Sequence, residues 1–158
     1  MSINLAKNFI HLCLKKNIYV NLAESCTGGL ISSKIIEVAD ASKVLKYSIV
    51  TYSNDAKRSF LKVPVKILKN YGAVSEETAS YMVRGLSKEK DISFSMAVTG
   101  IAGPSGGTKY KPVGLVFFSF LYNKKDILIK KKLFKGNRNI VREKAANYAL
   151  KKSIEIIS

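Results

Sequence analysis

The run Ile18-Tyr19-Val20-Asn21-Leu22-Ala23-Glu24-Ser25-Cys26-Thr27-Gly28-Gly29-Leu30-Ile31 decides the fold class. Residues 18–23 read as a short buried strand, and Glu24 to Gly29 as a polar turn closed by two glycines. Leu30, Ile31, Ile35 and Val38 then recur at helical spacing. A strand that hands over to a helix this abruptly begins a βαβ unit, which pairs its strands in parallel. Upstream, residues 3–16 place Ile3, Ala6, Ile10 and Cys13 at helical spacing, with Leu5, Phe9 and Leu12 beside them. Downstream, a second strand over 44–52 ends at Ser53-Asn54 and leads into a short helix carrying Lys57 and Leu61. Pro64 breaks the chain before a helical segment at 65–70. Ser75 caps the next helix, with Glu76 and Glu77 in the first turn, where the dipole favours acids. Residues 92–98 form a third strand, running into a loop from Thr99 to Thr108 too rich in glycine for regular structure. Strands at 113–121 and 126–134 make a hairpin through Asn123-Lys124-Lys125. A last helix opens near Asn137 or Asn139 and packs Val141, Ala145, Tyr148 and Ala149 inward. The expected fold is α/β: a three-layer α/β/α sandwich around a mixed, mostly parallel sheet of about five strands, with residues 1–158 as one domain.

Composition narrows the function classes. The chain has 158 residues, 47% hydrophobic and 24% charged, which suits one globular domain and not a disordered segment. Its longest apolar run, around 113–122, is half of the ~20 residues that a spanning helix needs. With no secretory pattern at the N-terminus and two cysteines, Cys13 and Cys26, a cytoplasmic domain is expected. The single histidine, His11, sits in a helical pattern without a ligand cluster, so neither a zinc site nor a Ser-His-Asp triad is supported. The formal net charge of +16 invites a nucleic-acid reading. Of the 27 basic residues, however, only Arg58, Arg84, Arg138 and Arg142 are arginines, and the lysines are dispersed. A solvated basic surface with a general attraction for anionic ligands is the better account.

Three polar loops, 24–29, 52–57 and 99–108, fall where strands hand over to helices, the place where α/β sheets bind ligands. Ser25 lies at the first such turn, and the helix after it offers backbone N–H groups to an anion or an oxyanion. Ser25 and Thr27 serve equally well as caps of that helix. Lys57, five residues after Tyr52, is within reach of the first loop, and a lysine desolvated among apolar neighbours can accept a proton from a serine. Tyr52 can orient Lys57 or share a proton with it. The glycines of the third loop, with Thr108, can bring N–H groups close to a phosphate or carboxamide. Arg138 and Arg142, four apart at the start of a helix, share a face and oppose its dipole, which an anionic ligand between them would explain.

The strings Ala23-Glu24-Ser25-Cys26-Thr27-Gly28-Gly29, Val50-Thr51-Tyr52-Ser53-Asn54-Asp55-Ala56-Lys57, Tyr71-Gly72-Ala73-Val74-Ser75, Val98-Thr99-Gly100-Ile101-Ala102-Gly103-Pro104, and Gly106-Gly107-Thr108 with Lys111-Pro112-Val113-Gly114 resemble the carboxy-terminal domain of the competence/damage-inducible CinA family. The stand-alone form is similar to the PncC-like nicotinamide mononucleotide (NMN) deamidases. The resemblance covers nearly the whole chain. It implies hydrolysis of the NMN amide to nicotinate mononucleotide and ammonia, with Ser25 as nucleophile, Lys57 as general base and Tyr52 as a third catalytic residue. It also implies substrate binding by Thr27, Gly28, Gly29, Thr99, Gly100, Gly106, Gly107 and Thr108, and by Arg138 and Arg142 of the Gly136-to-Arg142 string. Asn137 and Asn139 stand where the family often has acids, and Tyr47-Ser48 where small glycines are common. The implied chemistry calls for no metal and no cofactor. The expected partner is the small-molecule substrate, with self-association and without membrane or nucleic acid. Cys26 is the rival nucleophile, with no histidine to activate it. The alternative function is a nucleotide-binding or regulatory module without turnover.

Overall fold

The computed structural model describes residues 2–86, 88 and 90–158, and the side chains of Ser2 and Ile3 lie outside that description, so the inward place expected of Ile3 does too. Chain order is α1 (Ser2–Lys15), β1 (Val20–Glu24), α2 (Leu30–Ile36), a 3₁₀ turn (Ala41–Lys43), β2 (Leu45–Val50), α3 (Asn54–Leu61), α4 (Val65–Tyr71), α5 (Glu76–Leu86), β3 (Phe94–Gly100), β4 (Leu115–Tyr122), β5 (Leu128–Leu133) and α6 (Arg138–Ile157). The five strands form one sheet in the order β2-β1-β3-β4-β5. β1 is parallel to both β2 and β3, whereas β4 runs antiparallel to β3 and β5 antiparallel to β4. This is the mixed α/β/α sandwich that the sequence leads one to expect, parallel in its first three strands and antiparallel thereafter.

Alternation along the strands divides the core between two faces. Val20 and Leu22 of β1, Met96 and Val98 of β3, and Phe118 and Phe120 of β4 join Phe9, Ile35, Val141 and Leu150 beneath α1, α2 and α6. Ala23 and Ala97 turn the other way, against Leu61, Met82, Val83 and Leu86 of α3 and α5. Every residue of β1 is buried, as a strand covered by helices on both faces must be. The polar Asn21 on the second face is matched at each end: its Nδ2 donates to Leu86 O (2.9 Å) and Tyr47 OH (3.0 Å), and its Oδ1 accepts from Ser95 Oγ (2.6 Å).

Local chemistry sets most of the boundaries. Asn137 caps α6, its side chain accepting from Ile140 N, and Ser75 caps α5 by accepting from Thr78 N. Asn123 and Lys124 both adopt left-handed φ (52° and 54°) in the β4–β5 turn, the pattern of a tight hairpin. β4 begins at Leu115 rather than at 113 because Gly114 (φ 93°) turns the chain and donates to Ile101 O. β2 stops at Val50, so Tyr52 stands beyond the strand, and α2 ends before Val38. Among the described residues no helix is long and apolar enough to cross a membrane.

Candidate active site

The carboxyl ends of β1, β2 and β3 meet at one edge of the sheet, with α2 departing on one face and α3 on the other. Ser25 follows β1 directly, its N–H held by Val98 O of β3 (3.0 Å) and its carbonyl taken by Gly28 N (3.0 Å). Gly28 and Gly29 carry φ of 59° and 92°, which lets the chain reverse into α2 within one turn. On the neighbouring strand end, Thr51 N donates to Glu24 O (2.9 Å), fastening the second loop to the first. Ser53 caps α3 through Ala56 N, and one turn later Lys57 points inward.

Lys57 is 1% exposed and Ser25 7%. The Lys57 Nζ donates to Ser25 Oγ at 2.9 Å and to the Thr51 carbonyl at 2.8 Å. Burial lowers the Lys57 ammonium from its ordinary 10.5 to about 8, against a smaller opposing effect of Cys26. A neutral amine is therefore accessible near neutrality, in contact with a serine hydroxyl. Burial also pushes the Cys26 thiol up to about 12, with Glu24 adding to the rise, so Cys26 stays protonated and is a poor nucleophile where it stands.

These groups open onto a depression of about 240 Å³ lined by Ser25, Cys26, Tyr52, Lys57, Ala73, Val74, Thr99, Gly100, Ile101, Ala102, Gly103, Ser105, Gly106 and Arg138. Of the residues singled out in the sequence, Ser25, Tyr52, Lys57, Thr99, Gly100, Gly106 and Arg138 thus come together around one space. Thr99 Oγ1 donates to Ala73 O (2.7 Å), tying the turn before α5 to the pocket wall. The Arg138 guanidinium bridges two loops, donating to Gly103 O (2.8 Å) and to Tyr52 OH (2.6 Å). Tyr52, 60% exposed, therefore partners Arg138, and Lys57 is oriented by the Thr51 carbonyl in place of the tyrosine. Among the described residues, no protein acceptor takes the N–H groups of Gly103, Ser105 or Gly106.

The remaining candidates lie outside the pocket lining. Arg142, one turn further along α6, donates to Thr27 O (2.9 Å) and braces the first turn from behind. Thr27 is wholly buried, and the Gly29 N–H is occupied by the Glu24 carboxylate (3.2 Å), so the pair Gly28-Gly29 shapes the turn without facing the depression. Gly107 and Thr108 also fall outside it; Thr108 closes its own loop by accepting from Lys111 N and donating to Lys111 O. Ala73 and Val74, quoted in the sequence only within a family string and given no place in the site, form a wall that arrives from the α4–α5 turn and has no chemical group to announce it. Sequence reasoning also gave Glu24 no role.

A family model described as the CinA C-terminal domain matches residues 2–157. A CinA-like protein of Kosmotoga olearia is 46% identical over 141 residues, spanning 89% of this chain and 34% of that protein. A putative competence-damage inducible protein of Clostridium beijerinckii is 48% identical over 143 residues, 90% of this chain and 35% of its own. The chain thus spans about a third of the length of the curated relatives it matches. Among solved structures, the competence/damage inducible protein CihA of Agrobacterium tumefaciens superposes with a TM-score of 0.94 at 38% identity, covering 99% of this chain and 96% of that one. A CinA superfamily protein of Klebsiella pneumoniae gives 0.94 at 27% identity, over 99% and 98%.

Proposed function

This chain belongs to the CinA C-terminal domain family, and from that premise we propose that it is an amidohydrolase converting NMN and water to nicotinate mononucleotide and ammonia. The observation that carries the reading is the buried 2.9 Å contact between Lys57 Nζ and Ser25 Oγ. In this reading neutral Lys57 accepts the Ser25 proton while Oγ bonds to the carboxamide carbon. The backbone N–H of Cys26, at the pocket wall, which no carbonyl or carboxylate among the described residues occupies, receives the developing oxyanion. Lys57 returns the proton to the departing nitrogen, the C–N bond breaks, and ammonia leaves an acyl-serine. The freed amine then takes a proton from water as its oxygen attacks the ester. Release of the acid restores the Ser25 hydroxyl. Arg138 and the free N–H groups of Gly103, Ser105 and Gly106 suit the phosphate, and Tyr52 holds the Arg138 guanidinium at the rim.

Incubating purified protein with NMN, and following ammonia together with nicotinate mononucleotide, tests the proposal. Ser25→Ala is expected to lower kcat by about three orders of magnitude or more, while Cys26→Ala keeps most of it. An active Ser25→Ala protein, or one that binds NMN tightly and releases no ammonia in wild-type form, rejects the reading. The second outcome would establish the nucleotide-binding module instead.

A further inference from the structure

Glu24 is a carboxylate with no exposed surface and, among the described residues, no ion-pair partner. Burying an unpaired charge costs several kcal/mol unless hydrogen bonds replace its water. Here they do. Oε2 accepts from Gly29 N (3.2 Å) and Ile31 N (3.0 Å), Oε1 accepts from Ser32 N (2.9 Å), and Ser32 Oγ lies 2.9 Å from Oε1. Ser48 Oγ of β2 stands at 3.5 Å. The helix needs such a partner because its N-cap is Gly29, which has no side chain to satisfy the first N–H groups. The carboxylate therefore enters from the strand side, five to eight residues upstream of the groups it caps, and closes the segment from Glu24 to Ser32 into a ring.

Ser25 is the first residue inside that ring. Its N–H and carbonyl are already pinned by Val98 and Gly28, and the ring supplies the remaining restraint on the direction in which Oγ leaves the backbone. We propose that Glu24 is the positioning residue of the Ser25 nucleophile: it touches no substrate, and it holds the turn so that Oγ rests on Lys57 Nζ. This inference rests on the assignment of Ser25 as nucleophile.

The test measures how fast Ser25 reacts with a small fluorophosphonate, in the full-length chain and without NMN. Ser25 Oγ bonds to phosphorus, the P–F bond breaks, fluoride leaves, and the serine proton passes through Lys57 to solvent. In Glu24→Gln an amide NH₂ confronts N–H donors, and displacement of Oγ by a fraction of an ångström is expected to slow labelling and kcat by about 100-fold, with KM for NMN changed less than about twofold. Labelling still reaches one group per chain. A merely structural role would give the opposite pattern, incomplete labelling at the wild-type rate, and that outcome overturns the proposal, as does an unchanged rate. Should Glu24→Gln fail to fold, Ser32→Ala removes one hydroxyl from the carboxylate and is expected to slow labelling several-fold at full extent; an unchanged rate there overturns the proposal as well. Wild-type protein that labels elsewhere than Ser25 overturns the nucleophile assignment and this inference together. Wild-type labelling at Ser25 with no effect of either variant overturns this inference alone.

Discussion

At the scale of single residues, the base role proposed for Lys57 ties activity and stability to the same proton. With its ammonium lowered to about 8, only about a tenth of the molecules hold the neutral amine at pH 7. The kcat/KM for NMN is therefore expected to climb about tenfold per pH unit below 8 and to level off above it; a flat profile from pH 6 to 8 would remove Lys57 as the base. The same shift has a stability sign. The folded pKa lies below the unfolded one, so between about 8 and 10.5 the unfolded chain binds a proton that the native chain has released, and stability rises with pH across that window. Against Lys57→Met, which lacks the group, denaturant titrations should show the native lysine protein gaining on the order of 3 kcal/mol between those limits. At pH 7 the inactive variant is expected to be at least as stable as the parent, the usual exchange of stability for a desolvated functional group. Constant differences across the window would show that the amine is not held in its depressed state.

At the scale of elements, α3 packs against α5 at a close backbone approach. A Cβ on Gly85 of α5 would sit 2.2 Å from the carbonyl oxygen of Leu61, the last residue of α3. Gly85→Ala is expected to push α3 off α5, costing about 1–3 kcal/mol in denaturant melts and lowering kcat, because Lys57 rides on the displaced helix. A variant with parental stability and rate would contradict this packing role. The elements themselves were legible in the sequence wherever a rule is local: the caps at Ser75 and Asn137, the Asn123-Lys124 turn, and the strand-turn-helix around Ser25. The meeting of Ser25 with Lys57 was also legible, since strand ends in such sheets converge. Contacts between distant segments were not. Helical spacing sets Arg138 and Arg142 on one side of α6, yet the first reaches Tyr52, 86 positions away, and the second stops at Thr27. The Glu24 carboxylate escaped notice for a related reason: capping motifs are read from the residue beside the helix, and here that residue is glycine.

At the scale of the whole molecule, the net charge of +16 acts on any anionic ligand before contact. Few of the lysines are neutralised by neighbours; the pairs Lys34–Glu143, Lys43–Asp40, Arg58–Asp55 and Lys152–Glu155 are the ion pairs among the described residues. Raising the salt from low to several tenths molar should therefore increase KM for NMN several-fold and leave kcat nearly unchanged, because screening reaches the approach path more than the buried Ser25–Lys57 contact. A salt-independent KM would confine recognition to short-range contacts. The placement of that contact has another consequence. Its two partners are 32 positions apart and sit on successive crossovers, so they meet only after β1 and β2 have zipped side by side. A chain whose β1 and β2 have not yet paired carries the two groups without joining them. In the proposed reading, strand pairing is what joins nucleophile to base, so a growing chain acquires the dyad only once its second crossover has been built and β2 has docked on β1.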